Sequence, residues 1–167
     1  MIRKIFRNIY LLPLFLLIIT QACKSETPRQ KAESVKTPQP VEKYCYIKDI
    51  RQKKQGVYAY VDFIEYLKTS DLKPNADRSK IIELPNGFCF LNSDIKYQDF
   101  VIVGSAEVIM QTFSFNNEGN FNFNQKVKLD ELVEGFAKPD AERLKFSPFK
   151  ISLNGNEILS LKEIYIP

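Results

Sequence analysis

Between Val57 and Leu67 the chain reads VYAYVDFIEYL, with Val57, Ala59, Val61, Phe63 and Leu67 on one parity and Tyr58, Tyr60, Asp62, Ile64 and Tyr66 on the other. Period two in β-branched and aromatic residues is the pattern of a strand. Both parities are largely apolar, so this strand is covered on both sides, either as a central strand or as a strongly curved one. The rest of the chain follows suit. Tyr44–Ile50 is a short β-prone run before the polar stretch 51–56, and residues 68–80 form a polar loop. Ile81–Leu84, Gly87–Leu91 and Phe100–Val103 are short apolar pieces, and Ala106–Phe115 reads as a longer strand. After the turn at 116–120, Phe121–Asn124 returns as its partner. Only Leu129–Phe136 has the i, i+3, i+4, i+7 spacing of a helix, at Leu129, Leu132, Val133 and Phe136, with acids in its first turn to suit the helix dipole. Asn154-Gly155 between two apolar runs is the strongest short hairpin signal and closes the chain.

That order of elements predicts a mainly β (α+β) domain at 43–167: a small, partly open, OB-like β-barrel, or an irregular curved antiparallel sheet, with one short helix and a C-terminal hairpin. Its 125 residues suit a single core.

What precedes residue 43 is of a different kind. Arg3, Lys4 and Arg7 stand before the apolar run Ile9–Ile19, which is roughly half the 20 or so residues needed to span a bilayer. Thr20-Gln21-Ala22-Cys23 follows. A basic start, a short apolar run and a small residue before the cut define a cleavable leader at 1–22. With cysteine directly behind the cut, the segment resembles a bacterial lipoprotein signal, and its Thr20 in place of a branched aliphatic resembles the looser form found in Bacteroidota. The resemblance implies a diacylglyceryl group on the Cys23 thiol and an acylated amino group (a palmitate-type anchor), which together hold a chain stably to a bilayer.

Residues 24–42 are rich in Lys, Glu, Ser, Thr, Gln and Pro, a composition that cannot repay the entropy of ordering, so 23–42 reads as a lipidated cysteine and tether. Lys24-Ser25-Glu26 lacks the acidic cluster associated with surface export in Bacteroidota lipoproteins, which points to the outer membrane, facing the periplasm. The chain's 24 basic and 20 acidic residues leave a net charge of +4, but three of the basics lie in the leader, and from Lys43 onward there are 17 of each. The basic balance is therefore no nucleic-acid footprint.

Three stretches carry a second resemblance: Val57–Leu67, the aromatic segment Phe88-Cys-Phe-Leu-Asn92, and the ending Pro148–Gly155 through Glu163-Ile-Tyr-Ile-Pro167. Together they resemble a class of small uncharacterised Bacteroidota-like lipoproteins with a Tyr/Asp-bearing first long strand and a C-terminal Ile-Tyr-x-Pro hairpin. This resemblance implies no catalytic or binding residue.

Chemistry is thinly represented. Cys45 and Cys89 are the remaining cysteines, and in an oxidising compartment they form either a disulfide or two buried thiols. The chain has no histidine, which removes Ser-His-Asp triads, the usual base for a catalytic cysteine, and the common zinc sites. A carboxylate-only hydrolase needs two acids across a bond, and Asp62, the best-placed acid, has no partner by local spacing. Asn92-Ser93-Asp94 with Asp99 is rich in oxygens but matches no calcium loop. No cofactor or metal is expected. Tyrosines offer large, rigid contacts at low entropic cost, so Tyr58, Tyr60, Asp62 and Tyr66 together form the expected binding surface. The leading expectation is a non-catalytic envelope lipoprotein that recognises a protein partner. A carbohydrate or small-ligand module is the alternative, and a carboxylate-based hydrolase a distant third.

Overall fold

The computed structural model describes residues 39–167; the leader, Cys23 and most of the tether lie outside the described residues. The first two strands, β1 (Val41–Lys53) and β2 (Gly56–Lys68), form a long antiparallel hairpin. Two short strands follow, β3 (Ile81–Glu83) and β4 (Phe88–Leu91), then the longest strand, β5 (Tyr97–Met110), and the two-residue β6 (Gln125–Lys126). Helices α1 (Leu129–Ala137) and α2 (Glu142–Phe146) lead into the closing hairpin of β7 (Pro148–Asn154) and β8 (Glu157–Glu163).

Five of the strands close a ring: β1 pairs with β2, β2 with β5, β5 with β8, β8 with β7, and β7 with β1. All pairs are antiparallel except β5 with β8. The fold is the expected small OB-like barrel, with its five-strand ring closed. It carries β3 and β4 as an extension of the far end of β2, and β6 at the end of β5. Closure leaves the barrel wall no free edge to pair with another chain.

The alternation at Val57–Leu67 sorts as the sequence implies. Val57, Ala59 and Val61 point into the barrel with Cys45, Ile47, Phe100, Ile102, Phe149, Ile151, Ile158 and Leu161. Leu132 and Phe136 of α1 and Leu144 of α2 belong to the same core. Burying each such side chain contributes about 1.5–3 kcal/mol. Gly135 is needed where α1 meets the Phe113 ring, since a Cβ there would stand 2.8 Å from Cε2 of Phe113.

Several boundaries differ from expectation, each for a local reason. β1 starts two residues earlier than the expected domain edge, because Val41 and Glu42 pair with Leu153 and Ser152. The polar stretch 51–53 is strand, pairing with Gly56–Tyr58, because the hairpin tip is wet on both faces and has no apolar alternation to show. The pieces Phe100–Val103 and Ala106–Met110 are one strand whose pairing with β8 is interrupted between Ile102 and Glu107. β5 stops at Met110 rather than Phe115, because the next two backbone N–H groups, of Gln111 and Thr112, donate to the carboxylate of Glu163. The return at Phe121 survives as a single bridge to Phe115.

Candidate functional site

Strand β2 changes partner partway along its length. Residues Val57–Asp62 pair with β5, whereas Glu65–Lys68 pair with β4. At this fork the segment 92–96, which links β4 to β5, crosses over the wall, and Asp62 lies beneath it at 2 % exposure. Its Oδ1 accepts from the backbone N–H of Lys96 at 2.8 Å, and its Oδ2 from the side-chain amide of Asn92, also at 2.8 Å. Asp62 therefore ties down the linker. A buried carboxylate is tolerable because it is hydrogen-bonded in this way.

The tie leaves one group unmatched. The Asn92 amide gives its nitrogen to Asp62, and its Oδ1 is buried without a hydrogen-bond partner among the described residues. Asn92 itself lines a cleft of about 330 Å³, at the small end of the range for ligand sites.

Tyr46 and Tyr97 stand directly opposite Asp62 on β1 and β5. Burial, and then the charge of Asp62, pushes the Tyr46 phenol above its ordinary value, so it keeps its proton and remains a donor at neutral pH. Apolar side chains rim the cleft: Ile82 of β3, Ile95 of the linker and Phe146 of α2. Ile95 and Phe146 are 63 % and 69 % exposed, unusual for such residues. Lys48, Lys80 and Lys145 complete the rim, and none of them has a carboxylate partner among the described residues. Asp62 is the one carboxylate lining the cleft, and both its oxygens are occupied. The arrangement can hold a ligand; it does not set two carboxyls across a bond.

The expected tyrosine surface is divided. Tyr60 stacks on Tyr97, with ring centroids 4.9 Å apart, beside the cleft. Tyr58, further along the wall, lies under Lys53 Nζ at 4.4 Å. Tyr66 belongs elsewhere: β4 packs over the end of β2, and Tyr66 sits in an aromatic cluster with Tyr44, Phe88 and Phe90. Only Tyr60 and Asp62 of the expected four adjoin the cleft. The bridge left open for Cys45 and Cys89 is not formed: both are free, buried thiols. Cys45 points into the barrel, where burial and the nearby Asp62 push its thiol up, and burial does the same for Cys89 on β4. The oxygen-rich stretch disperses to separate partners, with Asn92 on Asp62, Ser93 on Glu65, Asp94 on Lys96 and Asp99 on Lys53.

Ile95, Lys145 and Phe146 carry no site signal in the sequence, and Asn92 stands out there only as part of an oxygen-rich stretch, not as a partner of Asp62. Asn92 lies 30 residues from Asp62, and no spacing rule joins them. Phe146, an exposed phenylalanine, looks like core until the short helix α2 is known.

A second patch lies beyond the end of β5. Phe115 stacks on Phe121 at 4.7 Å, Phe123 packs edge-on to Tyr165 at 5.0 Å, and the Arg143 guanidinium lies over Phe121 at 5.2 Å. Beside it, Glu163 is 1 % exposed and accepts from Gln111 N, Thr112 N and the Thr112 hydroxyl. The Thr112 carbonyl in turn accepts from Arg143.

No family model, curated protein or solved structure matches the chain.

Proposed function

We propose that the chain is a cell-envelope lipoprotein, anchored through an acylated Cys23 in the outer membrane, whose barrel is a non-catalytic module that recognises a protein partner from the periplasmic side. The recognition surface is the outer wall of β1, β2 and β5, centred on the cleft over Asp62. The observation that carries this reading is the rim of that cleft: Ile82, Ile95, Tyr97 and Phe146, half of the large apolar side chains exposed among the described residues, gather at one opening. Single exposed apolar residues are unremarkable, but a contiguous patch with a polar border marks an interaction site.

A carbohydrate partner is the second reading. The stacked pair Tyr60 and Tyr97 favours it, because the same wall of OB-like barrels takes oligosaccharides and oligonucleotides.

Two measurements on the full chain in cells test the proposal. Labelled palmitate should enter the wild type and not Cys23→Ser, which should leave the membrane fraction; continued labelling of the variant refutes the anchor. A photo-crosslinking residue at Ile95 should capture one reproducible envelope protein, while the same residue at Glu107, an exposed side chain outside the cleft lining, should not. Equal capture from both positions, or none with expression confirmed, moves the weight to the carbohydrate reading.

A further inference from the structure

The cleft over Asp62 makes two demands at once. Its rim offers apolar surface at Ile95 and Phe146. Around these stand the cationic groups of Lys48, Lys80 and Lys145 against a single acid, Asp62, so the lining carries an excess of positive charge. Lys80 donates to the Ser93 carbonyl, which satisfies a proton but not a charge.

Different ligand classes meet different subsets of these demands. A phosphate answers the lysines but brings no apolar body. A neutral glycan brings no charge. A fatty acid has charge and apolar surface but a single carboxylate for three lysines. A polypeptide rich in Asp and Glu with one large apolar side chain meets both, because its carboxylates can be spread over Lys48, Lys80 and Lys145. The volume of about 330 Å³ suits one large side chain with its neighbouring backbone.

We infer that the cleft receives a short acidic segment of the partner polypeptide, with one apolar side chain against Ile95 and Phe146 and flanking carboxylates on Lys48, Lys80 and Lys145. This rests on the protein-partner reading above and names the chemistry of the segment. The lysine contacts lie at a wet rim, so they set selectivity and salt dependence more than total affinity.

The test is a selection of a random-heptapeptide phage library on the full-length chain in detergent micelles, run beside the same selection on Lys48→Glu/Lys145→Glu and on Ile95→Asp. The substituted side chains carry no packing in the core, and equal urea midpoints for the three chains confirm that each is folded. Enriched peptides should carry two or more Asp or Glu around one large apolar residue. A fluorescein-labelled synthetic copy should bind the wild type about tenfold or more tighter than the double-lysine variant, and more weakly as KCl is raised. Neutral or basic peptides that are lost on Ile95→Asp would overturn the acidic segment and leave the protein-partner reading standing. No enrichment over Ile95→Asp would overturn both. Enrichment that inorganic phosphate abolishes, with no preference for an apolar residue, would make this a simple anion site and overturn the inference.

Discussion

Two carboxylates are buried in this barrel to almost the same degree, and their surroundings are opposite. Glu163, at the end of β8, receives two backbone N–H groups and a hydroxyl, all from the turn that ends β5. Its neighbours are matched as well: Gln111 and Asn124 exchange two hydrogen bonds, and Arg143 holds the Thr112 carbonyl. Asp62, at the fork of β2, also receives two donors, but the amide that supplies one of them has its own oxygen buried without a partner among the described residues, and the residue lines an open cleft. Burial of an acid is therefore not what marks a site here. The corner at Glu163 is a closed shell that stops a strand, whereas the fork at Asp62 is an anchor beside an open cleft.

Substitution at the corner should have the larger effect on stability. Glu163→Ala leaves the buried N–H groups of Gln111 and Thr112 and the Thr112 hydroxyl without their acceptor, and should lower unfolding free energy by about 3 kcal/mol, read from urea midpoints. Capture from a crosslinker at Ile95 should be unchanged in the fraction that remains folded. Asp62→Asn should cost less, about 1–2 kcal/mol, since one of its two hydrogen bonds can still form. It should nevertheless reduce capture from Ile95 several-fold, because segment 92–96 loses its tie. If the two variants lose stability equally and neither affects capture, the contrast between corner and fork is void. Tyr97→Ala removes the Tyr60 stack, with a loss of about 1 kcal/mol, and should reduce capture in line with the share of the rim that Tyr97 provides.

The smallest effect at neutral pH comes from the wall beside Asp62. Cys45 and Tyr46 both hold their protons more tightly in the folded chain than in the unfolded one, chiefly through burial and secondarily through Asp62. Their contribution is intact below the ordinary thiol value of 9.0 and the ordinary phenol value of 10.0, and is lost as pH climbs beyond each. Urea midpoints should therefore hold steady up to about pH 9 and fall above it, with Tyr46→Phe flattening the upper part of the fall. A midpoint that rises above pH 9 would reverse the assignment. In a Cys23→Ser chain never exposed to reductant, two thiols should titrate with a thiol reagent after denaturation and almost none before it; no titratable thiol in denaturant would mean that Cys45 and Cys89 are bridged.

Much of the barrel was legible because its cause is local. The period-two run at Val57–Leu67, the 3.6-period apolar set at Leu129–Phe136 and Asn154-Gly155 each state their structure within a dozen residues, and α1 and the closing hairpin appear where the pattern puts them. The errors fall where a distant partner decides. β5 ends at Met110 because Glu163, more than 50 residues away, takes the next two N–H groups. Tyr66 leaves the expected surface because β4 covers it. Asp62 was visible as an unusual residue on its strand, but the amide that gives it meaning is 30 residues downstream. The cleft exists only because β2 changes partner, and no single strand's alternation can announce that.

A chain that recognises its partner in the envelope through the fork, as proposed, keeps the fork covered there. Hydroxyl-radical footprinting of the full chain, in intact envelopes and after purification, compares the two exposed apolar patches in one experiment. Ile95, Tyr97 and Phe146 should be protected in the envelope and modified once the chain is purified, while Phe115 and Phe123 should react alike in both. Equal modification of Ile95, Tyr97 and Phe146 in both states, or protection confined to Phe115 and Phe123, would contradict the assignment of the Asp62 cleft as the recognition site.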